Sequence, residues 1–228
     1  MGKHKLRQFD EFSAFSNTFE YARDNKGRWN KVFGNDNPIV LELACGYGHY
    51  ASELGAANPN INYIGIDRKG NRMWHGAKWC IENKVPNVRF MRATIDLIEE
   101  FFDAEEISEI WITFPDPQHK DRSAKNRLTH PAFLKRYTKI LKSEGIINLK
   151  TDSTRFYTFT KFVINDCDLL ILEDNADIYS WERRPKALDI KTYYENKWLE
   201  QGKKIKYLKF QLRTHAFDHI KDLRKYGI

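Results

Sequence analysis

Along the chain the spacing of apolar positions changes near residue 38. Before it, Phe9, Phe12, Phe15 and Phe19 recur at helical spacing, which predicts an amphipathic helix over residues 7–23 with its aromatic stripe packed inward. Asp24-Asn25-Lys26-Gly27 and Gly34-Asn35-Asp36-Asn37-Pro38 are turn-rich breaks. Beyond Pro38, short apolar runs alternate with longer helical stretches. Runs at 39–43, 62–67, 87–91, 109–114 and 145–150 read as strands. Helices are expected from the turn at 44–48 to about Ala57, over 70–83, from Pro131 to about Leu141, and over 154–165. Further strands are expected at 169–172 and 205–212, joined by a long polar connection. This alternation argues for an α/β chain, a mainly parallel sheet with helices on both faces. Ligands in such sheets sit at the carboxyl ends of the strands.

Composition supports one folded domain over 1–228, with 1–36 as an N-terminal helical extension. Aromatics are 14% and hydrophobic residues 41%, enough for a core without staples. No run approaches the ~20 apolar residues of a membrane span. The first residues, Met-Gly-Lys-His-Lys-Leu-Arg-Gln, lack the apolar core of a secretory signal, so a reducing, cytoplasmic setting is expected. Cys45, Cys80 and Cys167 are widely spaced, and no metal site is expected. The net charge is +7, and it is concentrated. Lys120, Arg122, Lys125, Arg127, Lys135, Arg136, Lys139 and Lys142 fall within 118–142 against Asp121 alone. A second basic block spans 202–228 and includes Lys203, Lys206 and Lys209, with His215 and His219 nearby. Together the blocks could form a face that neutralises phosphates; two solvated helix faces are the plainer alternative.

The chemistry concentrates at strand ends. Leu41-Glu42-Leu43-Ala44-Cys45-Gly46-Tyr47-Gly48-His49 is a strand, a tight turn and a helix start. Gly46 and Gly48 let backbone approach a ligand, and the helix start offers free N–H groups. The Glu42 carboxylate would repel a pyrophosphate and favour a cationic cofactor, which argues against a nicotinamide site. Asp67 ends the second strand 21 residues after Gly46, placed to accept both hydroxyls of an adenosine ribose. Phe114-Pro115-Asp116-Pro117 ends another strand, its prolines fixing where Asp116 points, with Lys120, Arg122, Lys125 and Arg127 close behind as a phosphate-binding cluster.

With these motifs the chain resembles the bacterial tRNA (guanine-N7-)-methyltransferases, which use S-adenosyl-L-methionine. The resemblance runs from Gly27-Arg28-Trp29-Asn30-Lys31-Val32-Phe33 to about Leu212. It is carried by Asn62-Tyr63-Ile64-Gly65-Ile66-Asp67, by Phe114-Pro115-Asp116-Pro117 with His119-Lys120 and Arg122, by Leu149-Lys150-Thr151-Asp152, and by Thr192-Tyr193-Tyr194-Glu195-Asn196-Lys197. It implies a class I (Rossmann-like) three-layer sandwich with a seven-stranded sheet. It implies cofactor contacts from Glu42, Gly46, Gly48, Asp67, Thr94 and Asp116, with Asp96 the alternative to Thr94 at the adenine. Asp116 would be the essential acid. Lys120, Asp152, Thr192, Tyr193, Tyr194 and Glu195 would contact the substrate nucleotide, guanine 46 in the tRNA variable loop, with Asp152 or Glu195 reading its Watson–Crick edge. The partner would be tRNA, the protein a monomer or homodimer. Three departures stand out. Ala44 replaces the usual first glycine, which suits alanine only at negative φ; Gln118 replaces a usual Trp; and Asp121 interrupts the cations. The other readings are a methyltransferase with a different substrate and an RNA-binding module with a degenerate cofactor site.

Overall fold

A computed structural model describes residues 3–213, 216–217 and 224–226. His215, His219 and Lys221, and the side chain of Arg224, fall outside the described residues. In chain order the elements are α1 Lys3–Ala14, β1 Thr18–Glu20, α2 Trp29–Phe33, β2 Ile39–Leu43, α3 His49–Ala57 and β3 Asn62–Asp67. Then follow α4 Gly70–Glu82, β4 Val88–Arg92, β5 Ile107–Thr113, α5 Pro131–Tyr137 and β6 Leu141–Thr151. The last are α6 Thr154–Asp166, β7 Leu170–Asn175, α7 Tyr193–Glu200 and β8 Lys206–Gln211. The strands form one sheet in the order β1-β4-β3-β2-β5-β6-β8-β7. Neighbours from β1 through β6 pair parallel, and β8 runs antiparallel to both β6 and β7.

Central strands are apolar on both sides because helices cover both faces. Every residue of β2 is buried. Alternate positions serve opposite faces: Leu41 and Leu43 join a core with Phe133, Leu134, Phe156 and Val163 of α5 and α6. Val40 joins a second core with Phe12, Tyr50, Met73 and Ala77 of α1, α3 and α4. This is the expected α/β three-layer sandwich.

Two expectations change. Among the described residues the sheet has eight strands, and the additional one lies inside the helix expected over 7–23. That helix ends at Ala14. Ser16 and Asn17 compete with helical hydrogen bonding. The Asn17 amide donates to the Ala77 carbonyl (3.0 Å), and Phe90 N–H donates to the Asn17 carbonyl (2.9 Å), which steers Thr18–Glu20 into pairing beside β4. Phe12 is fully buried, whereas Phe19 packs edge-on against Trp29 at 5.3 Å. The other difference is α7, hidden in the connection read as polar loop. Its start is a capping box: the Thr192 hydroxyl accepts from Glu195 N–H while the Glu195 carboxylate accepts from Thr192 N–H. No helix among the described residues is long and apolar enough to cross a membrane.

Candidate active site at the carboxyl ends of the strands

The sheet order reverses direction at β2, whose neighbours are β3 on one side and β5 on the other. Residues leaving the carboxyl ends of these strands surround a cleft, as this topology requires. The turn after β2 has three left-handed residues, Ala44 (φ 57°), Gly46 (φ 57°) and Gly48 (φ 73°). The negative φ at which alanine would fit without strain is therefore not what this turn provides. The turn is tied to β3 and closed on itself: Cys45 N–H donates to the Ile66 carbonyl and Gly48 N–H to that of Cys45. Ala44 bears the left-handed cost in place of glycine. Ala44→Gly is expected to raise unfolding free energy by up to ~1 kcal/mol in urea titrations, the relief of left-handed strain being offset in part by glycine's freer unfolded chain; a destabilised variant would show that the alanine methyl packs favourably enough to outweigh its backbone. Across the turn, Gly76 of α4 donates its N–H to the Tyr47 carbonyl at 2.9 Å, and a Cβ at Gly76 would stand 2.8 Å from that oxygen. The glycine lets α4 press on the loop.

Asp67 caps the same turn. One carboxylate oxygen accepts from Gly46 N–H (3.0 Å), the other from Lys69 N–H (2.9 Å). A cavity of about 490 Å³ opens here, lined by Gly46, Tyr47, His49, Asp67, Asp116 and Tyr193 among others. Burial holds His49 below the ordinary histidine pKa; the same holds for His75, with His49 and Lys78 adding to it. Neutral imidazoles beside the loop do not oppose a cationic ligand.

Glu42 is not on the cleft wall. It is buried behind the turn, accepting from Ala51 N–H (2.9 Å) and from the Thr113 hydroxyl (2.5 Å). It ties the start of α3 to the end of β5. Burial pushes its pKa up to about 7, against the lowering effect of those two hydrogen bonds, and the Asp67 charge adds to the rise. A carboxyl group whose folded pKa lies above its unfolded value of 4.5 contributes stability that is lost as pH rises through that window. Glu42→Gln should therefore gain about 2 kcal/mol relative to the native chain between pH 5 and pH 8. Urea unfolding of both proteins at the two pH values measures it, and a pH-independent difference would contradict the buried-acid reading.

Asp116 leaves β5 through a strained segment. Phe114 (φ 47°) and Gln118 (φ 50°) are both left-handed, flanking the two prolines. Phe114 N–H donates to the Lys150 carbonyl (2.9 Å), and Gln118 N–H to Asp116 Oδ1 (3.0 Å). The segment is braced by Arg127, whose guanidinium donates to the carbonyls of Pro117 (3.3 Å) and Gln118 (3.0 Å) and lies 4.5 Å from the Phe159 ring. Arg127 is buried, so it supports the loop and does not belong to a phosphate-binding cluster. Asp116 itself is exposed and lines three cavities at once. One is the cleft above. Another, of about 320 Å³, includes Asp67, Thr94 and Asp96, with the Thr94 hydroxyl donating to Asp96 at 3.0 Å. The third, of about 520 Å³, includes His119, Asp152, Arg155, Tyr194, Trp198 and Lys203.

The substrate-side residues divide. Asp152 borders the third cavity and pairs with Lys203 (3.0 Å). Thr192, Tyr193 and Tyr194 line the cleft, Tyr193 and Tyr194 lying 5.7 and 6.4 Å from the Tyr47 ring. Lys120 is exposed at the edge and lines none of the three. Glu195 also lines none of the three. Its fully buried carboxylate pairs with the equally buried Lys150 (2.8 Å), accepts from the Tyr179 hydroxyl (2.8 Å) and closes the capping box. A ligand could reach it only by displacing those partners. Lys150 also donates to the carbonyls of Leu188 (3.1 Å) and Ile190 (2.8 Å). Desolvation lowers its pKa, and Glu195 opposes the shift. Lys150 and Glu195 belong to separate sequence motifs; the structure joins them into the clasp that seats α7 on the sheet.

Among the described residues, several cations of the two basic blocks are paired with carboxylates. Arg136 and Lys139 pair with Glu99, Lys203 with Asp152, Lys204 with Asp177, Lys209 with Glu173, and Lys225 with Asp166. Asp121 pairs with Arg155.

A family model described as "Putative methyltransferase" matches residues 36–208. A tRNA (guanine-N(7)-)-methyltransferase of Bacteroides thetaiotaomicron is 47% identical over 221 residues, covering 93% of this chain and 87% of the relative. Among solved structures, the 16S rRNA methyltransferase KamB aligns with a TM-score of 0.63 at 10% identity, covering 82% of this chain and 93% of its own. A 16S rRNA (adenine(1408)-N(1))-methyltransferase from Catenulisporales acidiphilia, solved with its cosubstrate SAM, aligns with a TM-score of 0.54 at 12% identity, covering 86% and 92%. The structural likenesses establish the class I methyltransferase fold, and with the sequence identity and the strand-end site they make this chain a member of the tRNA (guanine-N(7)-)-methyltransferase family.

Proposed function

We propose that the protein transfers a methyl group from S-adenosyl-L-methionine to N7 of guanine 46 in the variable loop of tRNA, in the cytoplasm. The observation that carries this reading is Asp116 at the junction of the Asp67 cleft and the Asp152 cavity. One carboxylate thus touches both the place for a nucleoside cofactor and the place for a base. The cleft fits the cofactor chemically: the Asp67 carboxylate for ribose hydroxyls, a glycine turn that admits close backbone approach, the Asp116 carboxylate for the cationic end, and Arg68, Lys69 and Arg72 on the same lining for the cofactor's own carboxylate. Asp67 would bind the ribose, Gly46 and Gly48 the methionine portion, and Thr94 with Asp96 the adenine. Glu42 would act from behind the loop through its charge.

When bound, the cofactor supplies a methyl group already carried by a good leaving group. Guanine N7 has a free lone pair, so no residue need remove a proton to create the nucleophile. Alignment is the main requirement, with reacting atoms near ~3–3.5 Å. Asp116, stiffened by two prolines and the Arg127 brace, holds that alignment and stabilises positive charge as it moves onto the purine. Asp152 accepts from N1–H and N2–H, a donor pair that adenine lacks. Tyr193, Tyr194 and Thr192 border the entry, and Lys120 meets phosphate. The N7 edge of a variable-loop guanine becomes accessible on local unstacking.

The test is methyl transfer from labelled cofactor to unmodified tRNA, with the product mapped by borohydride–aniline cleavage at 7-methylguanosine. Cleavage at the variable-loop guanine is expected. Label without cleavage would refute the N7 assignment and leave a methyltransferase of another position.

A further inference from the structure

The base-side cavity already holds a cation, and the chain supplies it. Trp198 of α7 and Asp152 after β6 both line this cavity beside Asp116. The Lys203 ammonium stands between them, 3.5 Å from the Trp198 ring centroid and 3.0 Å from the Asp152 carboxylate. An aromatic face with a carboxylate beside it selects cations over neutral groups of the same shape.

The position of Lys203 follows from how α7 ends. Gly202 is left-handed (φ 69°), its N–H donates to the Leu199 carbonyl (2.9 Å), and Lys203 N–H donates to that of Trp198 (3.0 Å). These two bonds make a Schellman motif, which folds the residue after the glycine back over the last turn. In this motif an apolar side chain frequently fills that contact; here an ammonium lies on the indole. The backbone of Lys203 is fixed while its side chain keeps 39% exposure, so a rotamer change alone moves the charge into water. Lys206 donates to the Asp152 carbonyl at 2.9 Å and stays in place when it does.

Guanine is neutral before reaction. As N7 attacks, the C–N bond forms, the C–S bond breaks with its electron pair left on sulfur, and the purine becomes a cation without any proton transfer. We propose that Trp198 and Asp152 form a base site matched to the charged, methylated purine, with Lys203 as its internal competitor. The ammonium holds the site in the free enzyme, yields it to the guanine, and returns to expel the product. Contacts that strengthen as charge develops lower the barrier, and contacts equal for both states do not. The same contacts would trap the product, and the tethered ammonium offsets that. This inference rests on the guanine-N7 reading above.

Calorimetric titration with 7-methylguanosine 5′-monophosphate and with guanosine 5′-monophosphate tests it on the native protein, Lys203→Met and Trp198→Leu. The native protein is expected to prefer the methylated nucleotide by about 3–30-fold, a cation–π increment. Lys203→Met should tighten both nucleotides severalfold and slow the second and later turnovers on tRNA relative to the first. Trp198→Leu should erase the preference. Lys203 and Trp198 are partly exposed, and thermal melts check that both variants fold. Equal affinities in the native protein, no binding of either nucleotide, or a Lys203→Met protein that binds neither more tightly would overturn the proposal. Aniline cleavage of tRNA treated with native enzyme reports separately on the N7 reading, so either can fail alone.

Discussion

An Asp116→Ala protein is expected to bind tRNA as the native protein does and to transfer methyl groups about a hundred- to a thousand-fold more slowly, the range for loss of one preorganised charge at a reacting centre. The fold should not register the change. Asp116 is exposed, and among the described residues it accepts from Gln118 N–H, in a turn that Arg127 and the Phe114–Lys150 backbone bond hold independently. No buried group loses its partner, so the unfolding midpoint should move little. Single-turnover methyl transfer, filter binding of tRNA and a denaturant titration separate the three effects. Loss of tRNA affinity with an intact single-turnover rate would remove Asp116 from the chemistry.

The largest stability effect is expected at the clasp beneath the site. Glu195→Ala should cost about 3–5 kcal/mol, because the Lys150 ammonium, with none of its side chain exposed, would lose its counter-charge inside the protein. Lys150→Met should cost a similar amount by stranding the carboxylate. The double variant Lys150→Met/Glu195→Leu should be substantially more stable than the sum of the single losses predicts, since the pair couples directly. Urea unfolding of the four proteins gives the cycle. Additive losses would show that the two charges do not depend on one another. Because the pair seats α7, the singles should also displace Tyr193 and Tyr194 from the cleft wall.

The sequence made the central sheet legible because its strands are buried on both faces and carry unbroken apolar runs, as in Ile39–Leu43. It misled at Phe19, where helical spacing continued across Ser16 and Asn17. Only the Asn17 hydrogen bonds to Ala77 and Phe90, distant in sequence, turn that segment into a strand. The α7 helix was overlooked because its pattern is polar, although Thr192 and Glu195 at capping-box spacing announce it. That Asp67 and Asp116 share one cleft followed from their place at strand ends. Glu195 was read as a substrate contact because a carboxylate in a shared motif carries no sign of burial. Its partner Lys150, in a motif quoted for Asp152, is 45 residues away, and charge complementarity at that distance is invisible until the fold closes. Arg127 misled for the same reason: a guanidinium bracing carbonyls and one facing phosphate are identical in sequence.

The position of β8 sets an order on how the chain can be completed during synthesis. Among the described residues β7 has β8 as its sole neighbour in the sheet, and β8 lies between it and β6. Residues 170–175 leave the ribosome well before 206–211, yet they cannot dock until the later segment arrives. In the interval the flank of β6, with Ile146, Ile147 and Leu149, is an open edge of the kind that recruits strands from other chains. The clasp from Glu195 to Lys150 forms in the same interval, so both the last sheet edge and the base-side wall close late. A nascent chain stalled before residue 206 would carry a formed cofactor cleft, an incomplete substrate wall and a sticky edge, and is the species on which chaperones would be expected to act.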